Sequence, residues 1–132
     1  MDLSTGHFKA YRQGTRLTGM AAEDAFKLAY EYHTNDFFWF NPFYALRAPG
    51  AERVFVSERE LLVTFTRGGL TPGDSYLFET DNAGLPMSFR LWVRVLPLKG
   101  LAFSFEDWQE LDGTYLARTH RSPFGEVIVS DI

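Results

Sequence analysis

The strongest constraint on the fold is a nine-residue segment in which every second residue is apolar. Its apolar residues are Met87, Phe89, Leu91, Val93 and Val95, and its intervening residues are Ser88, Arg90, Trp92 and Arg94. A period of two places alternate side chains on opposite sides of a β-strand. The segment therefore predicts a strand with one apolar face, and that face has to be covered by other parts of the chain.

The same period recurs along most of the chain after Glu52. Apolar alternation predicts further strands at 54–56, 61–65, 76–80, 101–105, 114–121 and 126–132. Turn-forming residues separate them at 57–60, 68–74, 81–84, 97–100 and 122–125, and Asp112–Gly113 is typical of a two-residue hairpin turn. Because short connections make consecutive strands neighbours, we expect an antiparallel meander.

The first third of the chain has a different pattern. Residues 8–18 alternate around Gln13–Gly14 and predict a short hairpin. Residues 20–33 follow a helical period, with an apolar stripe formed by Ala22, Ala25, Phe26 and Ala29. Thr18 or Gly19 is the expected N-cap of this helix.

An aromatic segment follows the predicted helix: six of the eight residues from Phe37 to Tyr44 are aromatic. We expect Asn35 and Asp36 to begin a separate helical turn and Pro42 to break it, before a loop that ends at Pro49–Gly50. With the helix stripe, this segment is the available cover for the concave face of the sheet. Its rings either form a plug packed against the sheet or line a cavity for an apolar ligand.

Three aromatic residues further along predict an irregularity in one strand. Phe103 and Phe105 are odd-numbered and Trp108 is even-numbered, so all three face the core only if an extra residue forms a β-bulge near Glu106–Asp107. The bulge would place Trp108 opposite Ala117 and Glu110 opposite Tyr115. In the alternative arrangement, Trp108 lies outside, near Trp92 and Arg90.

Composition excludes several classes of function. The 132 residues suffice for one domain with its own core, so we assign residues 1–132 to a single domain. There is no cysteine, and the net charge of −4 gives nucleic acid no basic surface to bind. No apolar run is long enough to span a bilayer, and the first residues lack the pattern of an export signal.

The polar residues indicate no catalytic, metal or cofactor site. His7, His33 and His120 do not have the spacing of metal ligands. The acidic residues near one turn are typical of a solvated strand, with Arg90 and Arg94 as expected cross-strand partners; they are Glu106, Asp107, Glu110 and Asp112. A Ser122/His120/Asp107 triad would lack the expected nucleophile motif.

Several motifs resemble a family of uncharacterised bacterial envelope proteins. They are the Asn35-Asp36 and Trp39 segment, the TPGDSY turn (71–76), the GLP-x-x-x-R-x-W-V run (84–93) and the F-x-F-x-x-W run (103–108). The fold of this family resembles the lipoprotein carriers LolA and LolB, an incomplete antiparallel barrel wrapped around helices. The resemblance implies a periplasmic or envelope location and binding of a lipid or acyl chain, and it implies no catalytic residues.

Two departures from the family shape our expectations. Family members usually carry additional N-terminal strands and an export signal, which this sequence lacks. An uncovered sheet edge near residues 2–18 would then invite pairing with a second copy, so we expect a tendency to form a homodimer.

We therefore predict an α+β protein: an antiparallel half-barrel of seven or eight strands, capped by one main helix and a short aromatic turn. The first functional hypothesis is a noncatalytic binding module for an apolar ligand in the cell envelope. Its predicted ligand-binding residues are Phe38, Trp39, Phe43, Phe89, Leu91, Val93, Phe103 and Trp108. The second is an interaction protein with a filled barrel that associates through a sheet edge, and the third is an enzyme using the Glu106/Asp107/His120 region.

Overall fold

The computed structural model of the chain describes residues 7–67, 73–93 and 99–130. These residues form one main helix, one 3-10 helix and ten antiparallel strands in three sheets. The α+β class and the antiparallel pairing are thus confirmed. They group into two compact units, Met1–Asp36 and Phe37–Ile132, and the boundary falls within the main helix.

The elements of the first unit begin with a small hairpin. Strands β1 (Tyr11–Arg12) and β2 (Thr15–Arg16) pair around Gln13 and Gly14, whose φ angles of +48° and +80° are both left-handed, as a tight hairpin turn requires. Helix α1 follows as Gly19–Phe40. Within this unit the rings of Phe8 and Phe26 stack at 4.4 Å. The predicted hairpin and the start of the predicted helix are therefore confirmed.

Helix α1 is longer than predicted. We expected a helix over 20–33 and a separate turn after Asn35 and Asp36, but one helix continues to Phe40. No glycine or proline interrupts the chain between His33 and Pro42, so the helix has no reason to break there. It ends before Pro42 because a proline disfavours helical backbone in the preceding residue, and Asn41 has φ −157°.

A 3-10 helix, Pro42–Arg47, replaces most of the loop predicted after Pro42. The Asn41 side-chain oxygen accepts a hydrogen bond from the Phe43 N–H at 3.1 Å, which caps its first turn. The chain then turns at Gly50, where φ is +89° and a Cβ atom would collide with the carbonyl oxygen of Arg67. Only glycine fits this position, and the turn starts the first long strand.

Eight strands follow in the second unit and form two antiparallel sheets. The five-stranded sheet has the order β3-β4-β5-β6-β7, and the three-stranded sheet has the order β10-β9-β8. The strands are β3 (Ala51–Phe55), β4 (Glu60–Phe65), β5 (Ser75–Thr80), β6 (Pro86–Trp92), β7 (Leu101–Ser104), β8 (Glu106–Leu111), β9 (Thr114–Ser122) and β10 (Gly125–Ile128). Within each sheet consecutive strands are neighbours, as predicted, but the meander is interrupted between β7 and β8, which belong to different sheets.

The register of the five-stranded sheet aligns apolar residues across its inner face. Phe78 pairs with Phe89, and Phe89 pairs with Phe103. Phe89 and Leu91 are buried and Val93 packs against them, as the alternation predicted. Met87 is 45% exposed, so the predicted apolar face reaches water at that end. Val95 lies outside the described residues.

The predicted irregularity lies at Asp107, which has a left-handed φ of +54°. Trp108 pairs with Ala117 and Glu110 pairs with Tyr115, which confirms the predicted hairpin register. The prediction of an extra residue was wrong, because Glu106 pairs with Thr119 in the same register as the pairs after Asp107. The left-handed backbone of Asp107 places Trp108 on the same face as Phe105 without an inserted residue. Aspartate and asparagine tolerate this conformation better than most other residues.

The strand number exceeds the predicted seven or eight for two reasons. The N-terminal hairpin contributes two strands of its own, and the chain between β7 and β8 leaves strand geometry at Phe105. The strands of the described residues do not close into a barrel. No helix in the described part of the chain combines the length and apolar character needed to cross a bilayer.

The buried position of Phe89 leads to a stability prediction. Phe89 is 0% exposed, so Phe89→Ala should lower the free energy of unfolding by about 3–5 kcal/mol through lost burial and a residual cavity. The matched control is Phe124→Ala, since Phe124 is 73% exposed and its loss should change stability by no more than about 0.5 kcal/mol. Urea denaturation measures both values, and equal losses would contradict the assignment of the core.

Candidate functional site: an aromatic cluster

The second unit contains a cluster of ten aromatic side chains on the inner side of the sheet. We call these residues the aromatic cluster, and they are Phe38, Trp39, Phe43, Phe65, Tyr76, Phe78, Phe89, Phe103, Phe105 and Trp108. Neighbouring ring centroids lie between 4.9 Å and 6.4 Å apart, within the range of favourable aromatic packing. Each member lies in contact with at least one other member.

The last turn of α1 supplies two rings that reach different parts of the sheet. The Phe38 centroid lies 4.9 Å from Tyr76 and 5.2 Å from Phe89. The Trp39 centroid lies 5.0 Å from Phe103. Consecutive residues of a helix point about 100° apart, so the two side chains straddle Phe89.

The 3-10 helix supplies the third covering ring. The Phe43 centroid lies 5.4 Å from Phe78, 5.5 Å from Phe105 and 6.4 Å from Trp108. Phe43 therefore bridges the five-stranded sheet to the first residues of β8. The break at Pro42 separates Phe43 from the helix, which lets it contact this second region.

Burial divides the cluster into a centre and a rim. Phe78, Phe89 and Phe105 are buried, whereas the other seven side chains are half-buried. The three covering rings, Phe38, Trp39 and Phe43, all belong to the rim. A rim of this kind leaves apolar ring edges in contact with water.

All eight residues predicted to bind a ligand come together in this region. Phe89 and Leu91 lie in the buried core, and the six others pack against it: Phe38, Trp39, Phe43, Val93, Phe103 and Trp108. Of the remaining aromatic residues in the segment 37–44, Phe40 and Tyr44 are 41% and 76% exposed. The position of the Phe37 side chain lies outside the description.

Sequence reasoning missed one member of this region, His120. The side chain is 1% exposed, and its ring centroid lies 5.3 Å from both Trp39 and Phe105. We considered His120 only as a metal ligand, in a triad and in the enzyme hypothesis, and not among the predicted ligand-binding residues. The signal lay in the hairpin register: without an extra residue near Asp107, the pairing of Trp108 with Ala117 also places His120 opposite the core residue Phe105.

Two of the four acidic residues near the Asp112–Gly113 turn, Glu106 and Glu110, have local partners. Arg121 forms ion pairs with Glu106 and with Glu126, and the Glu110 carboxylate accepts a hydrogen bond from the Tyr115 hydroxyl at 3.1 Å. The prediction that Arg90 is a cross-strand partner of these acidic residues was wrong, because Arg90 lies opposite Ala102 of β7. The second expected partner, Arg94, lies outside the described residues.

The considered triad does not form. The Ser122 hydroxyl donates to the Gly125 carbonyl oxygen at 3.0 Å, and both ring nitrogens of His120 lie against backbone carbonyl oxygens. A nucleophilic serine would need its hydroxyl on the histidine ring. Across the described residues, no group of three histidine or acidic side chains is placed to hold a metal ion.

Tyr76 is the titratable member of the cluster. Burial raises the pKa of the Tyr76 phenol well above its ordinary value, and the negative charge of the buried Asp74 acts in the same direction. The hydroxyl therefore stays neutral in the folded protein over the physiological range. A neutral phenol suits an apolar environment.

The first unit has a cavity of a different character. It measures about 260 Å³ and lies between the hairpin and the first turn of α1. Its walls combine apolar Phe8 and Leu17 with charged Lys9, Arg16 and Glu23. This mixed lining differs from the aromatic cluster, so we do not assign the predicted apolar ligand to it.

Comparisons with known protein families, with curated proteins and with solved structures find no significant match to this chain. The resemblance to the LolA and LolB carriers therefore stays a prediction, which rests on the sequence motifs.

The raised pKa of Tyr76 predicts the effect of alkaline pH on stability. Folding favours the neutral phenol, so the contribution of Tyr76 to the free energy of unfolding is fully present below pH 10. This contribution is lost as pH rises above 10, by about 1 kcal/mol per pH unit. Tyr76→Phe should lose less stability than the wild type between pH 10 and 11. Tyr115→Phe, at a side chain that is 59% exposed, is the matched control and should follow the wild type. Identical alkaline losses in all three proteins, measured by urea denaturation, would refute the assignment to Tyr76.

Proposed function

We propose that this protein is a noncatalytic binding module whose aromatic cluster takes up an apolar chain, such as a fatty acyl chain. The observation that carries the proposal is the half-buried rim. Phe38, Trp39 and Phe43 cover the sheet through ring contacts, and each still exposes part of its ring to water. A guest chain that slides between these rings and the sheet would exchange water contacts for apolar ones.

The chemistry of the cluster favours an apolar guest over a charged one. Its ten members carry no acidic or basic side chain, and its phenol, Tyr76, remains neutral. A charged group would lose its hydration there without gaining a partner of opposite charge. The headgroup of an amphipathic ligand would therefore remain outside, in water.

The architecture that we propose for this function is the half-barrel of the LolA and LolB type. The five-stranded sheet would form its wall, and the last turn of α1 and the 3-10 helix would form its stopper. The support is that both segments pack their rings on the same inner face, as the resemblance implies. Location in the periplasm or cell envelope is part of the same proposal and rests on the sequence motifs.

Titration with dodecanoate, followed by tryptophan emission, tests the proposed binding. The Trp92→Phe background removes the tryptophan on the outer face of β6, so the signal comes from Trp39 and Trp108. We expect a saturable change in emission, and Phe38→Ala should weaken binding by about tenfold or more, because one apolar side chain contributes about 1.5 kcal/mol or more.

The matched control is Phe124→Ala, which removes an exposed ring outside the cluster and should leave the affinity unchanged. Circular dichroism shows whether each variant is folded before titration. An emission that does not change with dodecanoate in the folded background protein would contradict the proposed function.

One observation favours the second candidate, association through a sheet edge. We expected the open edge near residues 2–18; the described part of that segment forms the two-stranded hairpin, and residues 2–6 lie outside the description. In the five-stranded sheet one of the two edge strands is β3, where Val54 and Phe55 are 56% and 76% exposed. Val56, directly after it, is 52% exposed. Three consecutive exposed apolar residues at the end of an edge strand favour pairing with a second copy.

The backbone of β3 supports this candidate. Hydrogen bonds join Val56 to Glu60 and Thr66 to Gly50, so the even-numbered residues of β3 bond to β4. The N–H and C=O groups of Arg53 and Phe55 therefore point away from β4. Groups in this orientation are available for a further strand.

Light scattering at several protein concentrations tests the edge. If β3 pairs with a second copy, the mass should rise towards that of a dimer, and Phe55→Lys should keep the protein monomeric because a charge on the edge opposes pairing. Phe124→Lys adds the same charge at an exposed ring outside β3 and should still dimerise. A monomer at every concentration in the wild type would exclude this candidate.

A further inference from the structure

Arg53 is a charged residue on the inner face of the five-stranded sheet, at its edge. It lies on β3 directly opposite Val63, which is fully buried in the core, and directly opposite residues of paired strands share one face of a sheet. The Arg53 side chain itself is exposed. The sheet therefore presents a guanidinium group to water beside the apolar side chains of its inner face.

Arg53 begins a row of paired residues that crosses the whole sheet. The other members of the row carry no charge, and they are Val63, Tyr76, Leu91 and Leu101. The Tyr76 ring lies 4.9 Å from Phe38, one of the three covering rings. The row thus has a cation at one end, and its uncharged part belongs to the region covered by the aromatic rings.

A hydrogen bond positions the guanidinium group of Arg53. Its Nη1 atom donates to the carbonyl oxygen of Leu46 in the 3-10 helix at 2.7 Å. A guanidinium group carries five N–H donors in a rigid plane, so the edge formed by Nε and Nη2 remains for a second partner. This edge can donate two parallel hydrogen bonds to one carboxylate. Because the Leu46 contact holds the group in place beforehand, a ligand would lose less entropy on binding.

No acidic side chain in the described part of the chain forms an ion pair with this guanidinium group. Both ion pairs of that part are made by Arg121. Glu52, the preceding residue of β3, points to the opposite face of the sheet. The buried Asp74 lies directly before β5, which is two strands away from β3. Arg47 follows Leu46 and adds a second exposed positive charge at the end of the 3-10 helix. The charges near Arg53 therefore favour an anion.

We propose that Arg53 binds the anionic head group of a single-chain amphiphile whose apolar chain lies along the aromatic cluster. This inference rests on the proposed function and adds the head group of the ligand to it. The head group stays at the exposed edge of the sheet, and the chain follows the row inwards. Three strand spacings, about 14 Å, separate β3 from Leu91 on β6, and an extended chain of about twelve carbons spans this distance.

Paired titrations with dodecanoate and 1-dodecanol test the inference, with tryptophan emission in the Trp92→Phe background as the signal. The two ligands have the same chain, and at about pH 7.5 only dodecanoate is charged, because carboxyl groups ionise at about pH 4. Both are used below the solubility limit of dodecanol. We expect dodecanoate to bind about tenfold more tightly, since a bidentate charged pair is among the stronger polar contacts. Added NaCl should narrow this difference, because salt screens exposed charges.

Substitutions of Arg53 assign the preference to this residue. Arg53→Gln should bind the two ligands equally and should keep the dodecanol affinity of the background protein. Arg53→Lys keeps the charge and a donor for Leu46 but lacks the planar fork, so it should retain part of the preference. The matched control is Arg59→Gln, which removes the same charge from an exposed arginine that donates to Asn82, and it should keep the full preference. Circular dichroism shows whether each variant is folded.

The outcomes distinguish this inference from the proposed function. If neither ligand binds the background protein, both proposals are overturned. If dodecanol binds as tightly as dodecanoate or more tightly, the aromatic cluster remains a binding site and the role of Arg53 is overturned. A preference that survives in Arg53→Gln also overturns this role, and so does an equal loss of affinity for both ligands, which would leave Arg53 as a support of the 3-10 helix alone. A preference for dodecanoate that disappears in Arg53→Gln and persists in Arg59→Gln supports both proposals.

Discussion

The packing around Phe89 is the interaction on which the rest of the second unit depends. Its ring is fully buried and contacts Phe38 and Trp39 from α1, Phe78 from β5 and Phe103 from β7. Removal of these rings from water stabilises the sheet and the last turn of α1 in one step, because the apolar face of either alone would be exposed. The break at Pro42 then allows Phe43 to extend the same packing to Phe105 and Trp108.

Periodicity predicted the parts of the fold that depend on neighbouring residues. The alternation through Phe89 and Leu91 identified a strand and its buried side, and the turn at Asp112–Gly113 fixed the pairing of Trp108 with Ala117. The same reasoning placed the break at Pro42, because proline acts on the residue directly before it. It misjudged the length of α1, since aromatic residues are compatible with a helix and the segment after His33 contains no breaker.

The contacts that build the candidate site depend on pairs far apart in the sequence, which periodicity does not encode. His120 lies 81 residues from Trp39, and neither residue identifies the other. The eight predicted ligand-binding residues do pack together. The sequence could predict this because all of them were assigned to the apolar face of the sheet or to its cover. Their individual contacts, however, are set by three-dimensional packing. Phe38 and Trp39 are adjacent in the chain, yet Phe38 contacts Tyr76 and Trp39 contacts Phe103.

The central claim is that the last turn of α1 packs its rings on the sheet around Phe89. Nuclear Overhauser effects from the Trp39 indole protons test it most directly in solution. We expect cross-peaks from this indole to the rings of Phe103 and Phe89, whose centroids lie 5.0 Å and 6.1 Å away. A Trp39 indole in the folded protein with cross-peaks to neither ring would contradict the account.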